Sequence, residues 1–176
     1  MSDPYTAERG TPTVPACGNP PLTLEFTGTH LIFRASSATI TFPAVSGRAV
    51  YRPDPATGKF TRATFDYGVD RQKVKGVGPI PEGRYWVNPG DLWKNAFYKV
   101  WAPTDAWGNY RLTIHPYPDT ETYGRGGFFI HGGATPGSAG CIDLTSAMDD
   151  FVTWLKKEAG GGANCYIALR VKYPGV

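Results

Sequence analysis

The sequence predicts a mainly β protein that carries one main α-helix. Gly and Pro contribute 22 and 16 of the 176 residues, a share typical of many turns and short strands. Short segments in which apolar and polar residues alternate recur along the chain, as expected for strands with one buried face. Only residues 146–158 show the spacing of an amphipathic helix.

The first part of the chain predicts an arm followed by strands and loops. Residues 1–21 are rich in Pro and lack periodicity, so we expect an extended N-terminal arm before a single domain of residues 22–176. Alternating segments cover residues 22–26 and 39–42, and residues 22–26 and 30–34 together predict a hairpin. Residues 45–48 predict a loop, and residues 52–78 a long, exposed connection.

The second part predicts further short strands around the helix. These strands cover residues 84–87, 96–101, 110–115, 128–130 and 165–173. In residues 110–115, period-two alternation places Tyr110, Leu112 and Ile114 on one face, and Arg111, Thr113 and His115 on the other.

The helix has signals at both ends. Ser146 is the predicted N-cap, and Asp149 and Asp150 follow in the first turns, where the helix dipole favours anions. The predicted buried face consists of Met148, Phe151, Val152 and Leu155. Gly160 predicts the end of the helix.

Composition excludes several classes of function. The net charge is +3 and the basic residues are scattered, so no nucleic-acid partner is expected. The sequence has no run of about 18 apolar residues, so no membrane span is expected. The first 21 residues show neither the basic start nor the apolar core of a secretory signal. We therefore expect synthesis in the cytoplasm and export by another route.

The three cysteines allow at most one disulfide. Cys165 falls on the apolar face of the last strand, which favours a buried thiol. The alternative is a bridge between Cys17 and Cys165, formed in an oxidising compartment.

Residues 124–144 hold the densest set of chemically useful groups. A strand ends on His131, and a loop of small residues leads back to Cys141 just before the helix. A thiol near a helix N-terminus and an imidazole is expected to have a lowered pKa. The backbone N–H groups at Gly140 and Cys141 are suited to binding an oxyanion.

Other interpretations of these residues remain open. A single Cys or His is often only a packed core residue. Ser138 is a weaker nucleophile candidate, because Pro136 stands where a nucleophile elbow has Gly. His30, His115 and His131 lack the spacing of metal ligands, so neither a metal nor a cofactor is expected. His115 is either a support of the site or the end of a strand.

Three ordered motifs resemble a known family. Residues 130–132 and 138–142 resemble the signature of the L,D-transpeptidase (YkuD-like) catalytic domain, with Ala139 in place of the usual His. The gap of ten residues between His131 and Cys141 resembles the divergent Tlde1-like (DUF2778) type VI secretion effectors. The turn at residues 78–85 and the segment 124–132 are similar to that branch as well.

The resemblance implies a fold and a set of residue roles. The fold is a curved sheet or small sandwich of the L,D-transpeptidase type. Cys141 becomes the nucleophile and His131 its general base, while Gly140 and Cys141 supply oxyanion donors. Ser138 supports the loop by a hydrogen bond, or only stabilises a turn. The implied substrate-binding residues are Arg125, Gly132 and Gly133, with a solvated surface position as the alternative for Arg125.

The resemblance also implies a reaction and partners. The substrates are peptidoglycan tetrapeptide stems and D-amino acids, with cleavage between meso-diaminopimelate and D-Ala through a thioester. Action in the periplasm of target bacteria implies a secretion-machine delivery component and a cognate periplasmic immunity protein. The rival interpretation is a non-catalytic module that binds peptidoglycan or a partner protein.

Overall fold

The computed structural model describes residues 9–59, 62–94, 109–134, 136–160 and 162–175. In chain order its strands are β1 (Thr23–Phe26), β2 (His30–Arg34), β3 (Thr39–Pro43), β4 (Val45–Ser46), β5 (Val50–Arg52), β6 (Arg62–Thr64), β7 (Gly83–Val87), β8 (Trp93–Lys94), β9 (Tyr110–Thr113), β10 (His115–Pro116), β11 (Phe129–His131), β12 (Ile142–Asp143) and β13 (Ile167–Val171). The helices are α1 (Val69–Gln72) and α2 (Met148–Ala159). The predicted mainly β fold class with one main helix is confirmed.

The strands form two main sheets and one small one. Six strands pair in the order β10-β7-β13-β1-β2-β3, and five in the order β4-β12-β11-β9-β8, while β5 and β6 form a separate ribbon. The predicted hairpin of β1 and β2 is present, and β13 lies between β1 and β7. One hydrophobic cluster joins side chains of both main sheets and α2. Burial of this shared face is the main force that holds the sheets together.

Helix α2 contacts the six-stranded sheet through its predicted apolar face. All four predicted residues are buried, and Phe151 packs edge-to-face on Phe33 and Phe42. The predicted cap at Ser146 is wrong, because residues Thr145–Ala147 already form a 3-10 turn that leads into the helix. Gly160 ends the helix with a φ of 89°, which glycine adopts without a steric penalty.

Three local predictions differ from the structure, and a fourth is not tested by it. The loop predicted at residues 45–48 contains β4, which pairs with β12. The connection 52–78 is not simply exposed, because Tyr67 stacks on Tyr173 and Gln72 is buried. The strand predicted at 110–115 divides into β9 and β10, which belong to different sheets. The strand predicted at 96–101 lies outside the described residues.

The described part of the arm, residues 9–21, contacts the body of the protein. The backbone N–H of Cys17 donates to the carbonyl of Tyr166, and the indole of Trp86 donates to the carbonyl of Gly10. Cys17 and Cys165 form a disulfide with their Cα atoms 5.1 Å apart. The favoured buried thiol at Cys165 is therefore wrong, and the bridged alternative is present. Among the described helices, none has the length and apolar character needed to cross a bilayer.

Candidate active site

A row of buried polar residues crosses the five-stranded sheet. His131 on β11 is paired with Asp143 on β12 and with Arg111 on β9. All three are buried, whereas their neighbours Leu112, Ile130 and Ile142 point into the hydrophobic cluster. The predicted alternation along β9 is therefore present, but the polar face of this strand is buried as well. Buried ionisable groups at one place are a common feature of functional sites.

Cys141 lies next to this row. It stands one residue before β12, and the parallel register aligns Ile142 with Ile130. The charges of Asp143 and Arg111 both act on its thiol, so Cys141 lies close to these two members of the row. Its thiol is 3.9 Å from the carbonyl oxygen of Gly127, and the residue is only 5% exposed.

The hydrogen bond of His131 determines its tautomer. Nδ1 lies 2.6 Å from the carbonyl oxygen of Gly132. A carbonyl only accepts, so Nδ1 carries the proton and Nε2 is the basic atom of the neutral ring. Burial lowers the pKa of His131, although the hydrogen bond to Gly132 and the charge of Asp143 oppose this effect. The ring is therefore a neutral base at pH 7.

The thiol of Cys141 is also neutral in this conformation. Burial raises its pKa from 9.0 to about 12, and the charge of Asp143 adds to the increase. The lowered thiol pKa predicted from the sequence is therefore wrong for this structure. The reason is that desolvation of a thiolate outweighs the nearby Arg111 and Arg125 charges, which act in the opposite direction. A neutral thiol needs a base to remove its proton during attack.

The loop before Cys141 is held by two hydrogen bonds of Ser138, one from its side chain and one from its backbone. The hydroxyl of Ser138 donates to the carbonyl of Cys141 at 2.7 Å, so the predicted hydrogen bond within the loop is present. The backbone N–H of Ser138 donates to the carbonyl of Gly47, next to β4. The predicted oxyanion position Gly140 has a φ of +110°, a conformation that favours glycine.

The two predicted substrate-binding glycines follow His131. A Cβ atom at position 132 would come within 2.7 Å of the carbonyl oxygen of Thr145 and 2.8 Å of Cβ of Met148. Gly132 therefore allows the end of β11 to approach the start of α2 closely. Gly133 has a φ of 150°. The substrate contacts of both residues stay predictions.

Arg125 lies under the site rather than on its surface. It is 7% exposed, and its guanidinium donates to the carbonyls of Gln72, Gly78 (2.9 Å) and Pro79 (2.7 Å). The solvated alternative is therefore wrong. The contact with substrate carboxylates stays a prediction, and in this structure the guanidinium ties residues 72–79 to the loop that leads to β11.

Sequence reasoning missed Asp143 and Ser46. Asp143 stands two residues after Cys141 between buried Ile142 and Leu144, and a charge in such a run was the available signal. Ser46 accepts from the backbone N–H of Ile80 at 2.8 Å and thereby joins β4 to the turn at 78–85. A strand of two residues has too little periodicity to be detected.

The third histidine has partners elsewhere. Nε2 of His115 lies 2.8 Å from the carboxylate of Asp91, and its ring stacks on Trp86. His115 and Trp86 lie on β10 and β7 of the six-stranded sheet, and Asp91 lies in the 3-10 turn Pro89–Asp91. These contacts do not favour the alternative in which His115 supports the site. Within the described ranges, no three His, Cys, Asp or Glu residues come together as metal ligands.

Comparison with known proteins gives one finding. A family model described as "Tlde1 domain" matches residues 66–159, which is just over half of the chain and includes Arg125, His131 and Cys141. No curated protein matches the chain.

Proposed function

Because the chain belongs to the Tlde1 domain family, we propose that it is an antibacterial type VI secretion effector that modifies peptidoglycan through Cys141. The proposed activity is that of a cysteine L,D-carboxypeptidase and L,D-transpeptidase. The observation that supports it is the register of β11 and β12, in which Cys141 comes one residue before the strand that pairs with the end of β11 at His131. The hydrogen bond of His131 to Gly132 leaves Nε2 as the base.

The first step forms a thioester. The sulfur of Cys141 attacks the carbonyl carbon between meso-diaminopimelate and D-Ala while Nε2 of His131 takes the thiol proton. The backbone N–H groups of Gly140 and Cys141 bind the oxyanion. The C–N bond then breaks, the proton passes from His131 to the departing amine of D-Ala, and the stem stays on Cys141 as a thioester.

The second step depends on the attacking molecule. Water releases a tripeptide with a free carboxylate, a D-amino acid gives exchange, and the amine of another stem gives a 3–3 cross-link. In each case His131 takes a proton from the nucleophile and returns it to the sulfur, which restores the thiol. No metal or cofactor takes part in this scheme.

The disulfide supports action outside the cytoplasm. Bridges such as Cys17–Cys165 persist in oxidising compartments, of which the bacterial periplasm is one. In this proposal the protein is made in the cytoplasm, delivered by the secretion machine and active in the target periplasm. A producer cell then needs a periplasmic immunity protein, because its own wall carries the same stems.

Mass spectrometry of purified tetrapeptide muropeptides tests the reaction directly. The wild-type protein should release D-Ala, and added D-amino acid should give an exchanged tetrapeptide. Cys141→Ala should abolish both products, and His131→Ala should lower them by orders of magnitude. Circular dichroism and thermal unfolding of both variants must show a folded protein. Tripeptide stems, which lack D-Ala, are the substrate control.

A cellular experiment tests the compartment. A version with a Sec signal should lyse or deform its host, whereas the unfused version should be harmless. The toxicity should disappear in Cys141→Ala. Equal toxicity of the two versions, or toxicity without Cys141, would contradict the periplasmic effector.

One observation favours a second candidate, a non-catalytic binding module. Cys141 is almost fully buried and its thiol pKa is raised, which is typical of an inert core cysteine. The two candidates differ in one result, because a binding module keeps every function in Cys141→Ala.

A further inference from the structure

Asp143 holds both ends of the segment that carries Cys141. Its Oδ2 accepts from the backbone N–H of Gly137 at 2.9 Å, and its Oδ1 accepts from that of Thr145 at 2.8 Å. These two residues stand four positions before and four positions after Cys141. One buried carboxylate therefore fixes the loop, the nucleophile and the turn that leads into α2.

The same carboxylate faces His131. Nδ1 of His131 lies 4.0 Å from Oδ1 of Asp143, and both side chains are almost completely buried. The distance is too long for a hydrogen bond, and the Nδ1 proton is already donated to Gly132. Asp143 therefore acts on the ring through its charge. Arg111, on the opposite side in β9, acts on it with the opposite sign.

We infer that Asp143 is a positioning residue for the pair of Cys141 and His131, holding the Cys141 loop and stabilising the imidazolium that forms when Nε2 takes the thiol proton. This inference deepens the proposed function and rests on it. No proton moves to Asp143. The thiol proton resides on His131 until the leaving amine takes it, and the carboxylate lowers the free energy of that buried cation.

The decisive measurement is the titration of His131 by NMR in a Cys141→Ala background. Asp143→Asn removes the anion and keeps the side-chain volume. Because an opposite charge at this distance favours the protonated ring, the variant should lower the pKa of His131 by about one unit or more. Asp150→Asn is the matched control, since Asp150 is exposed in the first turn of α2 and its loss should leave the titration unchanged.

Kinetics gives a second readout that a merely structural role does not move. With Cys141 present, Asp143→Asn should lower kcat for D-Ala release about tenfold or more with little change in KM. The acid limb of its pH profile should shift to lower pH, by the same amount as the NMR titration. A loss of activity without this shift would overturn the inference and leave Asp143 as a residue that only holds the loop.

Two further measurements keep the inference testable if the Asp143→Asn variant does not fold. Arg111→Gln removes the cation on the other side of His131 and should raise the pKa of His131, opposite to the effect at Asp143. In the wild-type protein, the carboxyl carbon of Asp143 should report the titration of His131 in its chemical shift. A flat carboxyl signal across that titration would overturn the inference. These titrations need no turnover. If the wild-type protein cleaves no stem, the proposed function fails, but the titrations still show whether the charge of Asp143 acts on His131.

Discussion

The guanidinium of Arg125 lies directly beneath Gly140. A Cβ atom at position 140 would come within 2.6 Å of Nη2 of Arg125 and 3.1 Å of the Phe128 ring. The same guanidinium binds the carbonyls of residues 72, 78 and 79. It therefore joins three segments that are distant in sequence: residues 72–79, the loop that carries Arg125, and the loop at Gly140. The backbone of the proposed oxyanion site therefore rests on a buried cation.

This arrangement predicts that Gly140→Ala is strongly harmful. The methyl group meets Arg125, and a φ of +110° is strained for any residue with a Cβ. We expect a loss of about 1–3 kcal/mol in the free energy of unfolding, measured by urea denaturation, together with a loss of D-Ala release. Gly126→Ala is the matched control, because nothing lies within 4 Å of its added Cβ. Equal stability of the two variants would contradict the packing described.

The contacts of Arg125 predict a structural effect rather than a binding effect. In Arg125→Gln three carbonyls lose a charged donor inside the protein, so we expect a loss of about 2–4 kcal/mol in the free energy of unfolding. Arg84→Gln should change stability by less than about 0.5 kcal/mol, because Arg84 is exposed and its ion pair with Asp119 lies at the surface.

Steady-state kinetics of Arg125→Gln tests the role predicted from sequence. If Arg125 contacts substrate carboxylates, the Arg125→Gln variant should have a raised KM and a normal free energy of unfolding. That result would restore the substrate-binding role and contradict the structural one.

The sequence was a good guide where one side of an element is buried and the other is not. In β1 and β13, alternation gave the strands and their buried faces, and the period of α2 gave its four core residues. Cys141 and His131 were also singled out from the sequence, since a Gly-rich loop between a thiol and an imidazole is a local pattern, and their catalytic roles stay predictions. Local patterns of this kind survive folding because neighbours in the chain determine them.

The sequence was a poor guide where distant segments determine the structure. β4 has only two residues and exists because β12 offers it a partner. The role of Asp143 needs the register of β11 and β12, and the burial of Arg125 needs the carbonyls of residues 72–79. The prediction of a lowered thiol pKa for Cys141 was wrong for the same reason, because the burial that raises this pKa comes from the whole fold.

The raised thiol pKa predicts slow alkylation of Cys141. With a pKa of about 12, the folded protein holds almost no thiolate at pH 8, so iodoacetamide should react orders of magnitude more slowly than with free cysteine. The rate should rise about tenfold per pH unit through pH 10. Denatured protein is the control and should react at the ordinary rate. A measured pKa at or below about 8.5 in the folded protein would restore the activated thiolate predicted from sequence.

The same shift predicts a loss of stability in alkali. The folded pKa is above the unfolded value, so the stabilisation is complete below about pH 9 and decreases as the pH rises toward 12. Between pH 9 and 10 the free energy of unfolding should fall by about 1 kcal/mol. Tyr67, Tyr85 and Tyr173 also have raised pKa values, and their effect adds to the decrease above about pH 9. Cys141→Ala should therefore make the decrease between pH 9 and 10 smaller by about 1 kcal/mol, as measured by urea denaturation of both proteins at each pH.

The disulfide predicts a stability that depends on redox conditions. Cys17 and Cys165 are separated by 148 residues, so their bridge removes much conformational freedom from the unfolded chain. Reduction should lower the free energy of unfolding by about 2–5 kcal/mol, measured by urea denaturation with and without reductant. The measurement belongs in a Cys141→Ala background, which excludes exchange with the one free thiol. A Cys17→Ser, Cys165→Ser variant in the same background is the control and should not respond to reductant. If the oxidised protein unfolds at the same urea concentration as this control, the arm is not held by the bridge, and the main structural support for action in an oxidising compartment is lost.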